Sequence, residues 1–137
     1  MTKKKTVKGA PLGHGVGRRK SAVARVWLKK GSGKITVNGE EASNYFVTDI
    51  TRMDVGTPFR LLPQAAGYDV SANVKGGGFV SQAGAVKLGI SRAMLAVDEA
   101  LRPELRKHGL LTVDSRLKER KKYGQRSARR KFQFVKR

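Results

Sequence analysis

The chain contains no cysteine, so no disulfide framework and no thiolate metal or redox centre can be built, and its two histidines, His14 and His108, lie far apart in sequence. Apolar runs all fall well short of the roughly 18 to 20 residues that cross a bilayer, and the lysine-rich start has no apolar region behind it resembling a secretory signal. A soluble, unexported protein with no membrane partner is the expectation, and a reducing compartment is permitted. Acidic residues are scarce, ten against thirty Lys and Arg. Catalysis finds little support: neither histidine has a clear carboxylate or nucleophile partner, and Asp98 and Glu99 read as solvated face residues or ion-pair partners. The sequence predicts no enzyme, no catalytic residue, no cofactor, no metal and no small-molecule substrate. At 137 residues the chain has mass for one sheet-and-helix core with appendages.

What is present is positive charge, and it sits at the ends. Residues 1–20 hold seven basic groups (Lys3, Lys4, Lys5, Lys8, Arg18, Arg19, Lys20) and no acid, while residues 116–137 hold eleven against Glu119 alone. These ends therefore supply +17 of the formal net charge of +20, and the 95 residues between them carry only +3. Like charge at that density cannot offset an ordering cost of about 1–2 kcal/mol per residue, so both ends are expected to lack structure alone and to order against a polyanion. Three units are predicted: a basic flexible N-terminal extension over 1–16, a globular α/β body over 17–112, and a basic extended tail over 113–137.

Within the body, "KSAVARVWLKK" from Lys20 alternates apolar and polar positions as a strand does. "GSG" at Gly31–Gly33 then reads as a turn and "KITVNG" as a returning strand closed by Asn38-Gly39, predicting a hairpin. Glu40–Phe46 and Asp49–Val55 are short helix candidates, followed by a connection punctuated by Pro58, Pro63 and Gly67. "YDVSANVK" places Tyr68, Val70, Ala72 and Val74 on one face of a strand. Ser81–Leu101 spaces its apolar residues by three and four as an amphipathic helix, with Ser81 as the N-cap. A second helix starts near Pro103 and ends near Gly109. The fold class is therefore α/β: a two-layer α+β sandwich, a small mixed sheet with helices on one face.

Two glycine-rich segments invite an anion. "GHGVGRRKS" fails the G-x-x-x-x-G-K-[ST] spacing and follows no predicted strand, so a basic nucleic-acid contact fits better than a nucleotide cofactor, with a plain lead-in strand the remaining alternative. In "KGGGFVSQAG", three glycines enter a helix whose first amides favour an anion; a phosphate contact and a purely structural turn both fit. The tail interleaves Tyr123, Phe132 and Phe134 with cations, a pattern suited to phosphates and bases, though composition cannot separate RNA from DNA.

Four stretches together resemble one family, small-subunit ribosomal protein nine: "GRRKSAVARV" (Gly17–Val26), "ITVNG" (Ile35–Gly39), "VKGGGFVSQAGAVKLGISRAML" (Val74–Leu95) and "LRKHGLLTVDSRLKERKKYGQRSARRKFQFVKR" (Leu105–Arg137). The resemblance implies a fold like the second domain of small-subunit ribosomal protein five, with a left-handed β-α-β crossover. It also implies a structural role in the small ribosomal subunit, bound to the 3′ major domain of its ribosomal RNA in the head, beside neighbouring head proteins. The ribosome would be cytoplasmic in a bacterium, or that of a plastid or mitochondrion. By position, Arg18, Arg19 and Lys20 match the basic entry to the first strand, and Lys121, Lys122, Arg126, Arg129, Arg130 and Lys131 match RNA-facing tail positions. Lys75, Gly76, Gly77, Lys87, Arg92, Lys118, Arg120 and Tyr123 complete the expected rRNA contacts. Lys136 and Arg137 match a terminal pair that approaches tRNA in the peptidyl site. Ser81, Val113 and Val135 depart from the glycine, basic residue and serine usual at those positions. The rival from another class is a free nucleic-acid chaperone or chromatin-like DNA binder, which the same tails would serve.

Overall fold

The computed structural model describes residues 11–63 and 67–136, so Lys3, Lys4, Lys5 and Lys8 of the expected extension, and Arg137 at the tip, lie outside the described residues. Strands β1 (Gly13–Arg19) and β2 (Ala22–Lys30) form an antiparallel hairpin through Lys20 and Ser21, with Lys20 at φ 52°. As the alternation predicts, Ala22, Ala24, Val26 and Leu28 are fully buried. Further strands are β3 (Ile35–Val37), β4 (Glu40–Glu41) and β5 (Tyr68–Lys75), giving a five-stranded mixed sheet in the order β1-β2-β5-β3-β4.

The predicted hairpin between β2 and β3 does not form, because β5 lies between them, antiparallel to β2 and parallel to β3. A single carboxylate explains the rerouting. Asp69, near the start of β5, accepts hydrogen bonds from the amides of Ser32, Gly33 and Lys34 at 3.0, 3.0 and 2.9 Å, so the Gly-Ser-Gly loop wraps over the end of β5 and delivers β3 on its far side. Asn38 fastens the other end: its side chain both accepts from the Val74 amide (2.9 Å) and donates to the Val74 carbonyl (3.1 Å). The Asn38-Gly39 turn itself closes a different and shorter hairpin, β3 to β4.

Helices α1 (Ala42–Tyr45), α2 (Asp49–Leu61), α3 (Phe79–Val97) and α4 (Arg102–Lys107) follow in the expected order, with four changes of boundary. The segment predicted as helix from Glu40 starts as β4, and α2 runs six residues beyond Val55, straight through Pro58. Pro58 lacks an N–H to donate, yet its ring is fully buried in the core, and that packing outweighs the lost bond. Ser81 is not the N-cap of α3. Gly78 holds that position, while Ser81 sits buried in the first turn with its hydroxyl donating to the Gly78 carbonyl at 2.9 Å. At its far end α3 stops at Val97, since the Asp98 carboxylate takes the Ala100 amide (3.0 Å) and opens a 3-10 turn over Glu99–Leu101.

The body also begins earlier than Gly17, because β1 starts at Gly13. Gly13, Gly15 and Gly17 are buried and face α3: a Cβ on Gly15 would lie 2.5 Å from the Ala93 amide nitrogen, and one on Gly17 2.5 Å from that of Gly89. Glycine at alternate positions thus lets a helix backbone lie directly on a strand backbone. "GHGVG" serves this close packing, not a cradle for phosphate. Among the described residues no helix is long and apolar enough to cross a membrane.

Candidate nucleic-acid interface

The turn between β1 and β2 and the loop after β5 meet at one end of the sheet. Gly76 and Gly77 both have positive φ, 80° and 68°, and a side chain on Gly76 would strike the Ser21 carbonyl oxygen at 2.5 Å. Glycine is required there for backbone-to-backbone contact between loops. That contact brings Lys75, at the end of β5, opposite Val23 and beside the Arg18-Arg19-Lys20 corner. Of the two readings open for the glycine run, the structural turn is thus satisfied in full.

Arg19 points to the helix side of the sheet, where a cleft is lined by Arg18, Arg19, Lys87 and Arg116, with Gly84, Leu88 and Leu110 as its apolar floor. A second depression continues from it past Lys20, Ser21, Leu117 and Lys118. One acid, Asp114, lines both. Its carboxylate takes a forked pair of bonds from Arg116, Nη2 to Oδ2 at 2.8 Å and Nε to Oδ1 at 3.0 Å, and lies 4.0 Å from Arg19 Nε. The Arg116 side chain, then its backbone amide, hold this carboxyl far below the usual carboxylate range. Arg19 Nε is itself buried with no hydrogen-bond acceptor among the described residues.

The sequence-predicted residues divide accordingly. The structure brings Arg18, Arg19, Lys20, Lys87 and Lys118 to these two connected hollows. Lys87 is partly occupied by Asp54 of α2 (3.4 Å). Arg92 lies elsewhere, its Nη1 donating to the Val16 carbonyl of β1 at 2.8 Å and so covering a sheet edge. Arg116 and Asp114 were not among the predicted contacts. Their signal in the sequence is an acid two residues before a base, a spacing at which the Asp114 carboxylate also accepts the Arg116 backbone amide (3.1 Å).

Beyond Ser115 the tail has no helix or multi-residue strand, yet it is not extended throughout. Gln125 and Lys131 form an antiparallel bridge, and the Arg126 amide donates to the Arg130 carbonyl at 2.8 Å. Glu119, the one acid of residues 116–137, pairs with Lys122 and with Arg129 (2.9 Å), and these side-chain bonds lower its carboxyl below the usual range. Arg120 donates to the Lys121 carbonyl at 3.0 Å. Lys121, Lys136 and Tyr123 stand exposed, Tyr123 almost completely at 95% and Phe134 at 86%. Among the described residues neither ring has a stacking partner.

Residues 17–137 match the family described as ribosomal protein S9/S16. The chain is also 50% identical over 122 residues, 89% of its own length and 95% of the relative's, to the small ribosomal subunit protein uS9 of the bacterium Cytophaga hutchinsonii. With nearly the whole body and tail matched, the chain belongs to the ribosomal protein S9/S16 family, a family of structural ribosomal proteins rather than enzymes.

Proposed function

We propose that the chain holds together the ribosomal RNA of the small-subunit head, in the 3′ major domain, using the two basic hollows as a docking surface and the tail as a probe between RNA helices. The observation that carries this reading is the convergence of Arg18, Arg19, Lys20, Lys87, Arg116 and Lys118, from one strand and its turn, a helix and the tail, on surfaces where the one acid is already paired with Arg116. Such a surface carries more cations than paired acids, which favours a phosphate. Gly76 and Gly77 shape its rim, and Arg120, Lys121, Lys122, Tyr123, Arg126, Arg129, Arg130 and Lys131 extend it along the tail.

Binding replaces the tail's internal pairs. Glu119 holds Lys122 and Arg129 by exposed contacts of little net worth, so RNA phosphates displace the carboxylate at small cost and the bridged loop opens. Fully extended, 22 residues reach up to roughly 70 Å, and Lys136 and Arg137 then approach tRNA in the peptidyl site. The kinship with the second domain of small-subunit ribosomal protein five, and the left-handed crossover between the parallel neighbours β3 and β5, belong to this reading too. The host ribosome is that of a bacterium, a plastid or a mitochondrion.

The test is co-migration. On a sucrose gradient after a high-salt wash, the protein should remain with the small subunit. In binding assays with a head-domain rRNA fragment, even six to ten phosphate contacts would lose about 10³- to 10⁵-fold in affinity between roughly 50 and 200 mM salt. Recovery only in free or DNA-bound fractions would favour a nucleic-acid chaperone instead.

A further inference from the structure

The buried strand residues, from Ala22, Ala24, Val26 and Leu28 to Val70, Ala72 and Val74, all lie on the helix side of the sheet. The alternate positions form the opposite face, and there His14, Arg18, Arg25, Lys29 and Lys75 are exposed and Trp27 is half-buried. Strand register sets them in rows. His14 is opposite Trp27, Arg25 is opposite Asn73, and Arg18, Val23 and Lys75 share a row. The His14 ring lies 5.1 Å from that of Trp27, and the Arg25 guanidinium sits 5.8 Å from the Trp27 ring centroid.

This face lies on the other side of the sheet from α3, and only Arg18, near the end of β1, borders the cleft as well. The face offers four Lys or Arg side chains, and the carboxylate on this face of β1, β2 and β5, Asp69, is already committed to three loop amides. An aromatic plane flanked by cations, in a shallow open sheet, is what an unpaired nucleotide requires: its base stacks and its phosphates are neutralised. Base-paired RNA buries its base faces and cannot use the ring. The excess of positive charge opposes a second copy of this chain as the occupant.

We propose that the open sheet face is a second RNA site, on which an unpaired base of a loop or bulge stacks against Trp27 while Arg25 and Lys75 hold the flanking phosphates. It rests on the RNA-binding reading above, and the two can fail separately. Trp27 is the chain's single tryptophan, so its emission reports this site alone. The full-length protein is titrated with a short labelled oligouridylate and with a labelled RNA duplex of equal charge, reading label anisotropy and Trp27 emission together. The single strand should quench Trp27 in step with the anisotropy rise, and the duplex should bind without quenching. Trp27→Leu, on the face away from the core, should keep the parent's melting temperature and duplex affinity while binding the single strand roughly 5- to 100-fold more weakly. Trp27→Phe should restore most of the loss. Anisotropy that rises while emission stays constant, with Trp27→Leu binding like the parent, overturns the stacking site and leaves the RNA-binding reading standing. No anisotropy change with either RNA overturns both. A dimer in sedimentation that Trp27→Leu dissolves would assign the face to self-association and overturn the proposal as well.

Discussion

Replacing Gly17 with alanine should do far more damage than one methyl group normally does. The added Cβ would lie 2.5 Å from the Gly89 amide nitrogen and 2.9 Å from the Ala85 carbonyl carbon, where ordinary van der Waals contact begins at 3.4 Å. The Ala85 carbonyl oxygen lies closer still. Both neighbours are backbone of α3, so no rotamer change relieves the clash, and helix and sheet must part by more than an ångström. Overpacking of this kind costs about 1–3 kcal/mol, and the top of that range applies when the obstructing atoms cannot turn aside. At roughly 4 °C or more per kcal/mol for a body of this size, the melting temperature should fall by about 10 °C. Gly56→Ala supplies the control. Gly56 lies within α2 with nothing inside 4 Å of its Cβ position, so alanine should stabilise by about 0.5–1 kcal/mol through helix propensity. Gly84→Ala lies between these: its Cβ meets the Arg19 side chain, which can move, at the expense of the basic cleft. Thermal unfolding followed by far-UV circular dichroism measures all three. A Gly17→Ala protein melting within about 2 °C of the parent would refute the backbone-contact account.

Three further outcomes are expected. The Asp69 carboxyl, lowered chiefly by the Lys34 amide and then by those of Gly33 and Ser32, should titrate by NMR below the ordinary value of about 3.9. A depressed folded-state pKa means its contribution to stability is present above the unfolded value and is lost as pH falls through the folded one, so Asp69→Ala should lower stability at neutral pH and flatten its dependence on acid; titration at the ordinary value would contradict the loop-wrapping role. Deleting residues 116–137 should reduce the slope of log affinity against log salt by about 0.7–0.9 for each phosphate that the tail neutralises, whereas an unchanged slope would place the RNA-binding cations in the body. Removing only Val135 to Arg137 should leave subunit assembly intact and weaken peptidyl-site tRNA binding roughly 5- to 30-fold, measured on purified subunits at fixed magnesium and salt, because two screened cations opposed by the terminal carboxylate contribute about 1–2 kcal/mol; unchanged affinity would remove the tip's role.

Local pattern was enough for β2, β5, α3 and α4, because each writes its own burial into a short window: alternation at Ala22–Leu28 and Val70–Val74, spacing by three and four through α3, Pro103 and Gly109 at the ends of α4. The charge map, with two cationic ends and a nearly neutral middle, was equally legible, since formal charge needs no fold. Strand order was not legible, because Asp69 and the amides of Ser32, Gly33 and Lys34 are more than thirty residues apart in sequence and meet only in space. The same holds for the glycines of β1. They resemble a flexible or phosphate-binding segment until α3, some seventy residues later, lies against them and turns the absence of side chains into contact area. Ser81 has the hydroxyl of a helix cap, but the loop geometry after β5 sets the helix to begin at Gly78. Composition thus determined where the positive charge lies, and tertiary structure decided which cations are already engaged: Arg92 by a strand edge and Arg116 by Asp114, while Arg19 Nε finds no acceptor among the described residues.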